Sequence, residues 1–179
     1  MRSILFAAPA LAVCILASGA LARDIAGSPE VDLLRGTPEA DHIAGLGGHD
    51  DLLGFGGDDV MEGGDGIDEL FGGVGDDALD GGAGDDYLDG RGGNDTLTGG
   101  PGQDVFAFYA QDSGKALDSG HDVITDFNNA EDLILLDGFT ADEVVTRRDS
   151  AGLVIEAPGS VQITLRGVSE IGTDDLRFR

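Results

Sequence analysis

The chain has 179 residues, with 35 acidic side chains against 10 basic ones, 31 glycines and no tryptophan. A formal net charge of −25 excludes nucleic acid and anionic membrane surfaces as natural partners, because their phosphates would repel it. Self-repulsion and the entropy lost in ordering glycine also oppose unaided folding, so either the chain is disordered or cations neutralise its carboxylates.

The first 22 residues read as an export signal rather than as part of a fold. Arg2 supplies a positive start, Ile4 to Leu16 an apolar stretch, and Ala20-Leu21-Ala22 a small-residue cleavage site. Cleavage is expected after Ala22, which gives a mature chain without a membrane span, secreted or held in the periplasm. Cys14, the single cysteine, lies inside this segment. The mature chain therefore has no disulfide to staple it, although its compartment would permit one. Residues 23–35 read as a lead-in.

From Gly36 the sequence falls into eight consecutive blocks of nine without a slip. The sixth position is Asp41, Asp50, Asp59, Asp68, Asp77, Asp86, Asp95 and Asp104. The eighth is Ile43, Leu52, Met61, Leu70, Leu79, Leu88, Leu97 and Phe106. Glycine opens every block and also fills the fourth position from Gly48 to Gly102. A nine-residue period is a signature of parallel β-helical arrays. Glycines permit the positive φ of tight turns, and the residues around position eight alternate outward, inward, outward, as in a short strand. The expected fold is all-β: a parallel β-roll, or β-solenoid, with a thin ladder of leucine-sized groups inside. Two blocks make one coil, so positions 18 apart stack. Aspartates stacked about 4.8 Å apart are unfavourable unless cations lie between them.

Blocks such as Gly81-Gly82-Ala83-Gly84-Asp85-Asp86-Tyr87-Leu88-Asp89 resemble the nonapeptide G-G-x-G-x-D-x-U-x of RTX (repeats-in-toxin) proteins, over residues 36–107. The resemblance implies several Ca²⁺ ions, each held between stacked turns by two aspartates and four main-chain carbonyls. Carried over to this sequence, Asp68 and Asp86 flank one ion with the carbonyls of Gly63, Asp65, Gly82 and Gly84. Asp77 and Asp95 flank another with those of Gly72, Val74, Arg91 and Gly93. Six oxygens suit Ca²⁺ better than Mg²⁺, which dehydrates reluctantly. The first block, Gly36-Thr37-Pro38-Glu39-Ala40-Asp41, lacks the inner glycines and is expected to ligate poorly or to act as a cap. The fifth-position Asp58, Asp76 and Asp85 read as solvated surface, and Leu53, Phe71 and Tyr87 as outward strand residues.

The period stops at Phe108. Residues 108–179 are expected to form a C-terminal β cap, because a solenoid needs its last open edge covered. Strand-like runs occur at Asp104–Phe108, Gly120–Phe127, Glu131–Asp137, Leu153–Glu156 and Val161–Arg166. The stretch Asp118-Ser119-Gly120-His121-Asp122-Val123-Ile124-Thr125-Asp126-Phe127 is similar to the C-terminal part of serralysin-type proteases, which caps the roll and carries an export signal.

No catalytic residue is singled out. H-E-x-x-H is absent, and His42, His49 and His121 lack ligand spacing. There is no G-x-S-x-G elbow, and Gly114-Lys115-Ala116 lacks the residues of a phosphate loop. The expected function is a non-enzymatic secreted protein whose folding calcium drives. The alternative is an accessory module that binds an extracellular polysaccharide or cell surface.

Overall fold

The structure is a computed structural model, and it describes residues 23–110, 120–158, 161–172 and 174–179. The proposed export signal at 1–22 lies outside the described residues, as do Asp118 and Ser119 of the serralysin-like stretch. The described residues are strands, turns and bends. Among them, no helix is long and apolar enough to cross a membrane.

In chain order the strands are β1 (Asp24–Ala26), β2 (Leu33–Arg35), β3 (His42–Gly48), β4 (Asp51–Gly56), β5 (Val60–Gly66) and β6 (Glu69–Val74). They continue as β7 (Ala78–Ala83), β8 (Tyr87–Gly92), β9 (Thr96–Thr98), β10 (Val105–Tyr109) and β11 (Gly120–Ile124). The last five are β12 (Leu133–Asp137), β13 (Val145–Arg148), β14 (Gly152–Ala157), β15 (Val161–Arg166) and β16 (Leu176–Phe178).

Odd and even strands of the coil separate into two sheets, as a two-block turn requires. One sheet runs β1-β3-β5-β7-β9-β11-β15-β14-β13 and the other β16-β12-β10-β8-β6-β4-β2. Within the repeats every pairing is parallel and eighteen residues apart: Ile43 faces Met61, Met61 faces Leu79, and Leu79 faces Leu97. On the other sheet Leu52 faces Leu70, Leu70 faces Leu88, and Leu88 faces Phe106. These eighth-position side chains are buried between the sheets. The residues on either side of them point outward, so one side chain per block forms the whole core of the roll.

The coil begins earlier than the periodicity alone indicated. Residues 23–35, read as a lead-in, contain β1 and β2, which pair in parallel with β3 and β4. Ile25 and Leu34 extend the buried ladder. Gly27-Ser28-Pro29-Glu30-Val31-Asp32-Leu33-Leu34-Arg35 is in fact a ninth block in phase, with glycine first, aspartate sixth and leucine eighth. Its inner positions match only those of the Gly36 block, so the period is hard to see there.

The coil also ends later. β11 and β12 stack on β9 and β10 in the same parallel sense, and Ile124 and Ile134 prolong the core. Here the cross-section changes. Phe108 and Leu136 occupy places where glycine bends the earlier turns; they face each other and both are buried. In β10 and β12 the core thus becomes two side chains wide, and β14 and β15 keep that width with Leu153, Ile155, Ile163 and Leu165. β14 pairs antiparallel with both β13 and β15, which ends the parallel progression. β13 and β16, at the outer edges, were not anticipated: the exposed Val145-Thr146-Arg147-Arg148 shows no inward-outward alternation to mark it as a strand.

Because the repeat core is one side chain thick, each ladder residue contributes heavily. Leu70→Ala removes a fully buried group between Leu52 and Leu88 and should cost about 2–5 kcal/mol. Leu53→Ala, on the outer face, should cost under about 1 kcal/mol. Thermal unfolding of the two variants checks the difference.

Candidate metal centre in stacked aspartate turns

The sixth-position aspartates are buried, with Asp41 at 4% exposure and Asp68 and Asp104 at 0%. They sit in turns between strands, where two sequence features hold them. First, Oδ1 of each aspartate accepts the main-chain N–H of the aspartate one coil earlier. On one edge Asp41 donates to Asp59 at 2.7 Å, Asp59 to Asp77 at 2.8 Å, and Asp77 to Asp95 at 2.8 Å. On the other, Asp50 donates to Asp68, Asp68 to Asp86 and Asp86 to Asp104, at 2.8 to 2.9 Å. Each ladder is a directed chain of charge-assisted bonds.

Second, the opening glycine leaves the carboxylate room. A Cβ on Gly63 would lie 2.6 Å from Asp68 Oδ2, and one on Gly81 would lie 2.6 Å from Asp86 Oδ2. Glycine is needed at this position because no side chain fits, whereas the second position needs it for conformation: Gly64, Gly73 and Gly82 have φ of 112°, 125° and 101°. Leu46, Phe55 and Arg91 adopt the same left-handed conformation at φ 71–80°, which is uncommon for bulky residues and costs energy.

The second carboxylate oxygen is the informative one. Oδ2 of Asp50, Asp59, Asp68, Asp77, Asp86, Asp95 and Asp104 is buried without a hydrogen-bond partner. A buried charge in that condition is expensive unless something neutralises it. The cost appears as proton affinity. Desolvation, reinforced by neighbouring carboxylates and opposed by the amide bond, pushes Asp59 and Asp86 up to about 6 and Asp77 and Asp104 up to about 7. Asp95 rises to about 6, again chiefly by desolvation.

A cation in these turns would take only part of its shell from side chains. Among the described residues no group of three or more His, Cys, Asp or Glu converges as a metal cluster, and main-chain carbonyls are the other protein oxygens in these turns. They lie close at hand. The Gly81 carbonyl borders the same space beside Gly63 that Asp68 Oδ2 borders, and the Gly90 carbonyl does so beside Gly72 with Asp77 Oδ2. The carbonyls of Gly64 and Gly66 face Gly82 and Gly84, and that of Gly75 faces Gly93. Asp65 lies alongside Gly47 in the strand pairing. The Val74 carbonyl accepts the Gly57 amide at 2.9 Å, which leaves one lone pair for another partner. Arg91 keeps the second-position conformation, while its guanidinium turns outward over Phe71 at 5.2 Å and pairs with Asp89 at 3.3 Å. Oxygen-only cages of carboxylate and carbonyl suit a hard, loosely coordinated ion such as Ca²⁺.

Three ladder members escaped the reading from sequence. Asp32 donates its amide to Asp50 at 2.7 Å. Asp122 accepts from Asp95 at 2.9 Å and Asp132 from Asp104 at 3.1 Å, and burial raises both carboxyls, Asp122 to about 7. The signal for Asp122 was its local pattern: Asp122-Val123-Ile124-Thr125 copies Asp95-Thr96-Leu97-Thr98, displaced by 27 residues instead of 18.

Fifth-position residues also do more than meet solvent. Asp58 and Asp76, though exposed, accept the amides of Asp76 and Asn94 one coil later at 3.0 and 2.8 Å, and Asp85 accepts from Gln103 at 2.9 Å. His49 does the same for Ile67 at 3.1 Å. Phe71 and Tyr87 pack together at 6.0 Å, and the Tyr87 hydroxyl bonds that of Tyr109.

A family model agrees with this geometry. The model of the RTX calcium-binding nonapeptide repeat matches four overlapping stretches, 27–54, 35–70, 53–88 and 71–106. No curated protein matches the chain in sequence. Among solved structures, the extracellular lipase LipA from Serratia marcescens matches at 20% identity and TM-score 0.48, over 89% of this chain and 40% of the lipase. A subunit of the Azotobacter vinelandii mannuronan C5-epimerase, AlgE6R3, matches at 24% identity and TM-score 0.31, over 84% of this chain and 80% of that one. The chain spans less than half the length of the lipase. With buried carboxylates in register and the family model covering the same turns, residues 27–106 are RTX calcium-binding nonapeptide repeats, a parallel β-roll that binds Ca²⁺.

Proposed function

We propose that this chain is an exported, non-catalytic calcium-binding protein whose roll folds when calcium enters the aspartate turns. The observation that carries this reading is the row of seven buried Oδ2 atoms without partners, in a chain of net charge −25. Asp50, Asp59, Asp68, Asp77, Asp86, Asp95 and Asp104 supply the anionic oxygens, and the carbonyls of Gly63, Asp65, Gly72, Val74, Gly82, Gly84, Arg91 and Gly93 are proposed to complete the cages. The bound ion supplies positive charge between like-charged turns. The chain's own part is to hold each carboxylate by an amide at Oδ1 and to keep Oδ2 free.

Export is proposed from the composition of residues 1–22. Cleavage after Ala22 would leave Arg23 as first residue, its nitrogen 2.7 Å from Asp41 Oδ1, so the new ammonium group would meet a carboxylate. Where free calcium is scarce, repulsion keeps the repeats open; at an extracellular level, sites of about 10⁻⁴ to 10⁻³ M affinity would fill and couple binding to folding. Polysaccharide binding is not adopted, because Phe71 and Tyr87 are spent on each other and on Arg91 and Tyr109.

Circular dichroism of the purified chain should show a β signal in millimolar calcium that collapses in excess chelator. An unchanged signal after exhaustive metal removal would end the proposal.

Proton linkage has a definite sign. Burial pushes Asp59 up to about 6 and Asp77 up to about 7 in the fold, against about 3.9 when unfolded, so the metal-free fold binds more protons than the open chain between about pH 4 and 7. Its stability therefore falls as pH rises through that window. In chelator, acidification from pH 8 to pH 5 should restore part of the β signal. In calcium, the same change should weaken apparent affinity, by about tenfold per pH unit for each proton displaced. An affinity independent of pH would contradict the linkage.

Asp86→Asn should raise the calcium midpoint of folding severalfold. Asp58→Asn, which alters only an exposed amide contact, should shift it by less than about twofold. Calcium titrations of the two variants give the comparison, and equal midpoints would count against ligation by the buried row.

A further inference from the structure

Three ladder turns differ from seven others in one respect: the carboxylate's second oxygen is occupied by the turn itself; the residue four before the eleventh aspartate, Asp122, lies outside the described residues. Thr37 N–H donates to Asp41 Oδ2 at 2.5 Å, and Ser28 donates both its N–H and its hydroxyl to Asp32 Oδ2, at 2.6 and 2.8 Å. At the far end Asn128 N–H donates to Asp132 Oδ2 at 2.8 Å. Each donor stands four residues before its aspartate, in the second position of the turn.

The conformation of that second residue separates the two kinds of turn without exception. In the seven turns whose Oδ2 has no partner, the residues are Leu46, Phe55, Gly64, Gly73, Gly82, Arg91 and Gly100, and all have positive φ, from 71° to 125°. Ser28, Thr37 and Asn128 are not among the positive-φ residues. In the first group the amide is spent along the stack: Gly82 donates to the Gly99 carbonyl at 3.1 Å. In the second group it folds back.

Sequence explains the choice at the N-terminal end. Both folded-back turns there read glycine, hydroxyl residue, proline, glutamate: Gly27-Ser28-Pro29-Glu30 and Gly36-Thr37-Pro38-Glu39. A residue with a Cβ that precedes proline is confined to the extended region, which denies Ser28 and Thr37 the left-handed state. Gly99-Gly100-Pro101-Gly102 is the internal control. It too has proline third, yet Gly100 reaches φ 94° and Asp104 Oδ2 stays free.

We propose that the second-position conformation decides which turns take calcium, so that between Gly27 and Asp104 the ion array is confined to the seven open turns, ending at the self-capped Asp32 and Asp132 on one edge and at the self-capped Asp41 on the N-terminal side of the other. An N–H donor on Oδ2 occupies that oxygen where a cation would otherwise sit, and it places a partial positive charge in the ion's path; Asp32, the first of its ladder, keeps only its Oδ1 bare. Asp41 and Asp132, with both oxygens bonded, stack without metal. This inference rests on the calcium reading above and adds which aspartates are excluded from it.

The test is the number of calcium ions bound at saturation by the purified chain, counted by native mass spectrometry and by equilibrium dialysis. Asp41→Asn and Asp132→Asn should leave that number unchanged, whereas Asp77→Asn should lower it. The double variant Thr37→Gly/Glu39→Gly, which gives the first turn the pattern of residues 99–102, should bind one ion more than the parent. Loss of an ion in Asp41→Asn, or a parental count in the folded double variant, would overturn the inference. Were the double variant unfolded, the Asp41→Asn and Asp132→Asn counts decide alone. If the parent binds no calcium, the functional reading fails instead, so the two failures are distinct.

Discussion

The structure depends on one contact repeated along both edges: an aspartate whose first oxygen is held by the amide of the coil before, with the second left bare inside the turn. The held oxygen fixes the carboxylate's position and keeps it from turning to solvent. The bare oxygen makes the same residue a liability until a cation arrives. On the proposed reading, stability and metal affinity would be one quantity, since the free energy that holds the ion would also be the free energy that permits adjacent turns to lie together.

The thinness of the core gives this coupling its force. Between Ile43 and Leu97 each block contributes a single buried apolar side chain, worth about 1.5–3 kcal/mol of burial against the ordering of nine residues at about 1–2 kcal/mol each. Apolar burial alone cannot hold such a coil. Beyond Phe108, β12, β14 and β15 each bury two or more apolar side chains, and the aspartate turns come to an end after Asp122 and Asp132. The protein thus changes its means of cohesion along its length, from ionic turns to an ordinary apolar cap.

Much of this was legible in the sequence, because a strict period carries its own register. Asp59 over Asp77 and Leu52 over Leu70 follow once blocks are counted in pairs. The outer ends were not legible in the same way. Asp32 lies in a block whose inner glycines are replaced by Ser28, Pro29 and Glu30, and Asp122 and Asp132 follow insertions that shift the spacing to 27 and 28 residues. The first glycine was also misread in its physical role: it is there for want of space beside the carboxylate, a cross-coil constraint that no window of nine residues displays. Fifth-position residues looked idle because their partners are a full coil away. The edge strand β13 gave no signal, since it buries no face.

Pairing eighteen residues apart also constrains how such a protein can change in length. A duplication of nine residues would move every later aspartate to the opposite edge and match amides with the wrong partners, whereas a duplication of eighteen would insert a complete storey and leave both edges intact. After the longer spacings before Asp122 and Asp132 the stacking resumes on the same edge. Genetic gain and loss in this roll should therefore proceed by whole storeys, each bringing its own pair of acidic turns. The calcium demand of a descendant would rise or fall in the same increments as its height.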